Sequence, residues 1–188
     1  MWGNGGGISL GLILRLALAM TAAAACAGCF QPLYGEAGPT PGRPALRDAL
    51  ASVEVQQIDA PANSAEARLA VQIRNELLFN FTGGGSPGSP THRLIVKITG
   101  NRSVIIADQT TRLPSVENYG LNTTYTLTDL ATNKVVVTGR ASTTVAYDTL
   151  GQQRFARIAG MHDAERRAAK VISDNITSRL ASYFVSGG

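Results

Sequence analysis

The chain has 188 residues, 44% of them hydrophobic and 16% charged, with a mean hydropathy of +0.04. Those values suit one domain with a real core and exclude a largely disordered chain. A formal charge of +4, with aromatic residues at 6%, argues against a dedicated nucleic-acid binder, which concentrates positive charge and interleaves rings. Two histidines and two cysteines leave little material for a metal site, so no metal or other cofactor is expected.

Residues 1–28 read as a signal peptide. Arg15 is their only charged side chain, and Leu16 to Ala25 form an apolar run that ends in the small residues before Cys29. A run of about 7–15 apolar residues is the h-region of a secretory signal. A membrane span needs about 20 and would not normally carry Arg15 within it. An uncleaved anchor helix over Ile8–Ala27 is the competing reading. Ala27-Gly28-Cys29 has the form of a bacterial lipobox, in which small residues precede an obligatory cysteine, with Cys26 where leucine is usual. Cys29 is therefore the expected lipidation site. Each buried methylene of an acyl chain contributes about 0.8 kcal/mol, so two or three chains hold a protein on a membrane nearly permanently. Cys26 and Cys29 also spell C-x-x-C, but no strand–helix unit surrounds them as a redox motif would require.

Residues 29–50 read as the lipidated N-terminus and an extended tether, because Pro32, Pro39, Pro41 and Pro44 resist both helix and central strand. Residues 51–188 read as one α+β domain. Ser52 to Gln56 alternate as a half-buried strand. Asn63 and Glu66 form a capping box, and Leu69, Ala70, Ile73, Leu77 and Phe81 follow at helical spacing. The run from Gly83 to Pro90 ends that helix. It is no phosphate-binding loop, since it follows a helix and lacks the Gly-Lys-Ser/Thr ending.

Leu94, Val96 and Ile98 then mark a strand in which Ile95 adds an apolar residue to the second face. Tyr119 to Leu127 and Val135 to Tyr147 alternate as two long strands. The turn residues Asp129 to Lys134 join them as an antiparallel hairpin with a loop longer than two residues. A final helix, starting as early as Gln153, carries a stripe through Ala164, Ala168, Ile172, Ile176, Leu180 and Phe184. Phe155, Ile158 and Ala159 extend a similar face, and Glu165, Arg166, Arg167, Lys170, Asp174 and Arg179 take the outer positions. The order β-α-β-β-β-α implies a parallel first pair and antiparallel remainder. Both helices should pack on one face of a four-stranded mixed sheet. The other face, rich in Thr, Asn and Ser, should meet water or a polar partner.

The lipobox followed by Phe30-Gln31-Pro32-Leu33-Tyr34-Gly35, the segment Phe155-Ala156, and Asp163-Ala164-Glu165-Arg166-Arg167-Ala168 with Ile176 and Leu180 resemble the alphaproteobacterial LPS-assembly lipoprotein (LptE) family. That resemblance spans the whole chain and includes the element order. It implies an outer-membrane lipoprotein on the periplasmic side that plugs the LptD barrel, helps assemble it, and binds lipopolysaccharide in transit to the cell surface. It also implies lipopolysaccharide contact by an arginine before the third strand, where Arg112 stands. The family's lysine near the start of the last helix has no match, since Gly160-Met161-His162 occupies that region, and Arg154 and Arg157 are the nearby cations. Arg112 and Arg157 are thus the candidate lipopolysaccharide-binding residues. The alternative for Arg112 is an ordinary solvated loop residue.

No catalytic constellation accompanies these features. His92 and His162 lack neighbours at metal-ligand spacing, Asp163 and Glu165 are two apart and do not face each other on a helix, and no Gly-x-Ser-x-Gly elbow occurs. The expected function is therefore non-enzymatic, without nucleic acid. The alternatives are an auxiliary lipid-binding periplasmic lipoprotein of another envelope transporter, or a hydrolase whose site has no recognisable motif. Cys29→Ala should abolish metabolic lipid labelling and release the protein into the soluble periplasmic fraction. Persisting lipid label on that variant would refute the anchor.

Overall fold

The computed structural model describes residues 45–107, 114–149 and 154–187. Its elements are α1 (Leu46–Ala51), β1 (Val53–Val55), α2 (Ala65–Thr82), β2 (His92–Ala107), β3 (Pro114–Asp129), β4 (Val135–Asp148) and α3 (Arg154–Ser186). The strands lie side by side in chain order. β1 pairs parallel with β2, from Val53 opposite His92 to Val55 opposite Leu94. β2–β3 and β3–β4 are antiparallel. The expected α+β architecture, with helices packed against a four-stranded mixed sheet, is the one observed.

Period-two alternation decides which side of the sheet is covered. In β3, Tyr119, Leu121, Thr123, Tyr125 and Leu127 are buried, while Asn122 and Thr124 are exposed. Leu94 and Val96 of β2 and Val145 and Tyr147 of β4 join the buried set, and Ile95 meets solvent on the other face. The helices answer at their own period. Leu69, Ile73, Leu77 and Phe81 of α2 and Ala164, Ala168, Ile172, Ile176 and Leu180 of α3 form one core with the inner face of the sheet. Each such large apolar side chain, fully buried, contributes roughly 1.5–3 kcal/mol. Across the helix pair, Asn80 Nδ2 donates to Asp174 Oδ1 at 3.1 Å.

Two inner tyrosines need glycine on the neighbouring strand. A Cβ at Gly100 would lie 2.5 Å from the Tyr119 hydroxyl oxygen, and one at Gly139 would meet Tyr125 Oη and Cζ still more closely. The rings lie across those backbones, filling the space a side chain would take.

Several details depart from the sequence reading. The last residues of the expected tether, 46–50, belong with Ala51 to a helix, Leu46–Ala51, whose Leu50 is buried in the core. Ser64, not Asn63, caps α2: its side chain accepts from the Ala67 N–H at 3.0 Å. Asn63 has φ 61, a left-handed conformation, whereas an N-cap needs the extended one that Ser64 adopts. Glu165, expected on the outer side of α3, is buried at 5% exposure, with the Arg68 guanidinium 3.7 Å from its carboxylate. β2 and β3 also run several residues beyond Thr99 and before Tyr119.

Leu180 is fully buried and Phe155 is 86% exposed on the same helix. Leu180→Ala should lower the free energy of unfolding in urea by about 2–5 kcal/mol. Phe155→Ala should change it by less than about 0.5 kcal/mol. Equal effects would mean that the buried face of α3 is wrongly placed.

Candidate functional site

The face of the sheet opposite the helices is a polar plane built from cross-strand rows. Register places Lys97 opposite Thr124 and Thr124 opposite Arg140. The next row is Thr99, Asn122 and Ser142, followed by Asn101, Gly120 and Thr144. Arg93 is paired with Glu54 of β1 at 3.0 Å. Lys97 and Arg140 have no ion-pair partner among the described residues. Hydroxyls and amides at this density can hydrogen-bond a polar surface, and the two cations bias it toward negative charge.

At the far end of the β2–β3 hairpin the surface changes. Val104 and Ile105 of β2 are more than half exposed, beside a break in the β2–β3 register. Arg102 donates to the Met161 sulfur at 3.2 Å, which places α3 over the same end of the sheet. The helix residues from Phe155 to Ala159 are exposed on every side, among them Ile158 and Arg157. The face that Phe155, Ile158 and Ala159 continue therefore finds no core. Apolar side chains and guanidinium groups emerge together at this tip. Such a surface can meet acyl chains and phosphates at once.

Beneath the first covered turns of α3 lies a tyrosine–carboxylate cluster. Tyr147 Oη donates to Glu117 Oε2 at 2.5 Å. Burial, and then the Glu117 carboxylate that accepts its hydrogen bond, push the Tyr147 hydroxyl up to about 12, against an opposing pull from Arg102. Burial likewise raises Tyr119 to about 12, with the Glu165 and Glu66 carboxylates adding to it. Both tyrosines stay neutral donors across the physiological range, which suits a structural post under the tip more than acid–base chemistry.

Of the sequence-derived site residues, only Arg157 falls among the described ones; Cys29 and Arg112 lie outside them. Arg157 stands on the exposed start of α3, at the same end of the molecule as Arg102. The sequence reading singled out neither Arg102, Val104 nor Ile105. The available signal was the apolar run Val104-Ile105-Ile106, which follows the polar stretch Thr99 to Ser103 late in β2. Among the described residues no three or more His, Cys, Asp or Glu side chains gather as a metal site. No described helix is long and apolar enough to cross a membrane.

No protein-family model matches the sequence, and no curated protein matches it. Solved structures do share its fold. One is a protein described as a lipoprotein of Caulobacter crescentus CB15, at TM-score 0.59 and 21% identity, covering 76% of this chain and 97% of that one. The rare lipoprotein B of Shewanella oneidensis superposes at TM-score 0.51 and 12% identity, over 72% of this chain and 96% of its own. A Helicobacter pylori homolog of a neuraminyllactose-binding hemagglutinin reaches TM-score 0.51 at 9% identity, with 84% and 92% covered. The chain thus has a fold used by bacterial lipoproteins.

The raised tyrosines have a consequence for stability. Their ordinary value is 10.0 and their folded value about 12, so the folded state holds its protons more tightly than the unfolded one. The resulting stabilisation is complete below pH 10 and is lost as pH rises toward 12. The urea midpoint of the parent should fall over that window, and the Tyr119→Phe/Tyr147→Phe double variant should fall less steeply. Parallel curves would remove both tyrosines from the linkage.

Proposed function

We propose that the protein is an outer-membrane lipoprotein of the LptE type, held on the periplasmic side by acylated Cys29. In this reading it plugs the lumen of the LptD barrel, assists its assembly, and binds lipopolysaccharide during transport to the cell surface. The observation that carries the proposal is the tip, where Phe155, Ile158, Val104 and Ile105 are exposed beside Arg157 and Arg102. Lipid A offers acyl chains and phosphates, and a surface with apolar side chains among guanidinium groups meets both. Arg112 belongs to the same proposal through its place in the sequence, between β2 and β3. The polar outer face of the sheet supports the plugging role, because the interior of a transmembrane barrel is polar. The reading requires no catalytic group and no cofactor. A tip of this chemistry would serve equally an auxiliary lipid-binding lipoprotein of another envelope transporter, so the barrel is what separates the two.

Affinity purification of the full chain from solubilised outer membranes should recover a large barrel, and its absence would leave the auxiliary-subunit and hydrolase readings. Guanidinium–phosphate bonds contribute roughly 1.5–3 kcal/mol each when well formed, less at an exposed site. Arg157→Asp and Arg112→Asp should therefore each weaken lipopolysaccharide binding by about tenfold, with barrel recovery and melting temperature unchanged. Folded variants that bind lipopolysaccharide as the parent does would return these arginines to solvent.

A further inference from the structure

The open edge of β4 carries a groove that the lipid-binding tip does not include. It occupies about 450 Å³ and wraps around the strand from Thr138 to Ser142. Arg140 enters from the outer face, while Asn175 and Arg179, one turn apart on α3, face it from the other side. Tyr125 forms part of the wall, and it reaches there because Gly139 has no side chain to oppose its ring. Arg179 lies close enough to the Tyr125 hydroxyl to pull its pKa down, against the larger upward effect of burial.

No carboxylate lines the groove, and neither Arg140 nor Arg179 forms an ion pair among the described residues. Asp174, beside Asn175 in the sequence, is engaged by Lys170 and Asn80. Lys97 extends the positive charge across the outer face, two strands from Arg140, about 10 Å away at ordinary strand spacing. The other lining groups are hydroxyls, an amide and strand backbone. Cations at both walls with neutral donors and acceptors between them match an anion borne on a polyhydroxylated carrier. Self-pairing of the edge is opposed, because a second copy would bring another Arg140 against this one.

We propose that the groove between β4 and the C-terminal half of α3 is a binding site for a phosphorylated polyol or sugar, with Arg140 and Arg179 clamping the phosphate and Asn175, Ser142 and Thr138 meeting the hydroxyls. A volume of this size accommodates a small ligand. Tyr125 lies nine residues along β3 from Val116, about 30 Å at the rise of a strand, so this site stands apart from the tip and does not depend on it.

The test is titration of the full chain in detergent, observed by NMR at the arginine side-chain Nε–H groups, with glucose 1-phosphate, inorganic phosphate and glucose as probes. Glucose 1-phosphate should shift Arg140 and Arg179 together and bind more tightly than either inorganic phosphate or glucose. Arg140→Gln/Arg179→Gln should weaken it by about tenfold at an unchanged melting temperature, while Arg157→Asp should leave it unaltered. Vesicles of phosphatidylinositol, compared with phosphatidylcholine, separate the sources. Retention that depends on both arginines, without a response to the free sugar phosphate, would assign the same chemistry to a lipid headgroup. Shifts confined to β4 backbone amides, equal affinity for inorganic phosphate, or parental binding by the folded double variant would each overturn the proposal.

Discussion

A mismatch of lengths governs the molecule. β2 and β3 have 16 residues each, about 53 Å at 3.3 Å per residue. The 33-residue α3 rises about 50 Å and nearly matches them, whereas the 18-residue α2 reaches only about 27 Å. Where both helices lie over the sheet, Leu94, Val96, Leu121 and Leu127 are buried. Beyond the reach of α2, the β2 residues from Asn101 to Ile105 are all exposed, and so are the α3 residues from Phe155 to Ala159. The tip is therefore the place where a two-helix layer becomes a one-helix layer. Its exposed apolar residues follow from that geometry, and no local disorder needs to be invoked.

The same constraint explains the polar cluster under α3. Without a second helix to fill the inner face, the sheet there presents Arg102, Glu117, Tyr119 and Tyr147 beside Val104 and Val145. Tyrosine suits such a transition, because its ring packs against the core while its hydroxyl finds a carboxylate or a wetter neighbour. Glu165 is the counterpart from the helix. It is buried against Arg68 of α2, near where the shorter helix begins, so the ion pair lies at the boundary between the two-helix layer and the tip. Such a pair adds little to stability, since desolvation offsets attraction, but leaving the buried Glu165 carboxylate alone there would be costly.

The architecture was legible in the sequence because its signals are local periods. Alternation through Tyr119–Leu127 and the four-residue stripe from Ala164 to Leu180 are each visible within one segment, and together they sort inner face from outer. What was hidden depends on contacts between distant segments. Glu165 looked solvent-facing because Arg68, which covers it, lies 97 residues earlier. Phe155 looked like core because a helix reports its own apolar face and not the length of its neighbours. Leu50 sat next to a proline-rich stretch, and only the presence of α2 and α3 turns its short segment into a packed helix. Of the candidate site residues, Arg157 was found by charge near a helix start, whereas Arg140 and Arg179 belong to one groove only because α3 crosses β4.

Both edges of the sheet bear on how such a protein could operate among other β-structures. Among the described residues β1 covers β2 only from His92 to Leu94, and β4 has no neighbour beyond it. Long bare edges invite pairing with foreign strands. Here each carries charge at mid-length, Lys97 on β2 and Arg140 on β4, and the far end of β4 is closed by Arg167, whose guanidinium donates to the Ala146 carbonyl at 3.2 Å. Charges at these positions oppose self-association while remaining compatible with an acidic or phosphorylated partner. Enclosure in a barrel lumen, as proposed above, would add a second protection, because a closed barrel has no edge of its own to offer. The polar face could then meet the wall through side chains while the strand backbones stayed out of reach of other sheets. On that view the one-sided sheet is more than an unfinished sandwich. A second helical layer would have given a better-buried protein, and it would have covered the polar face that such a plug must present.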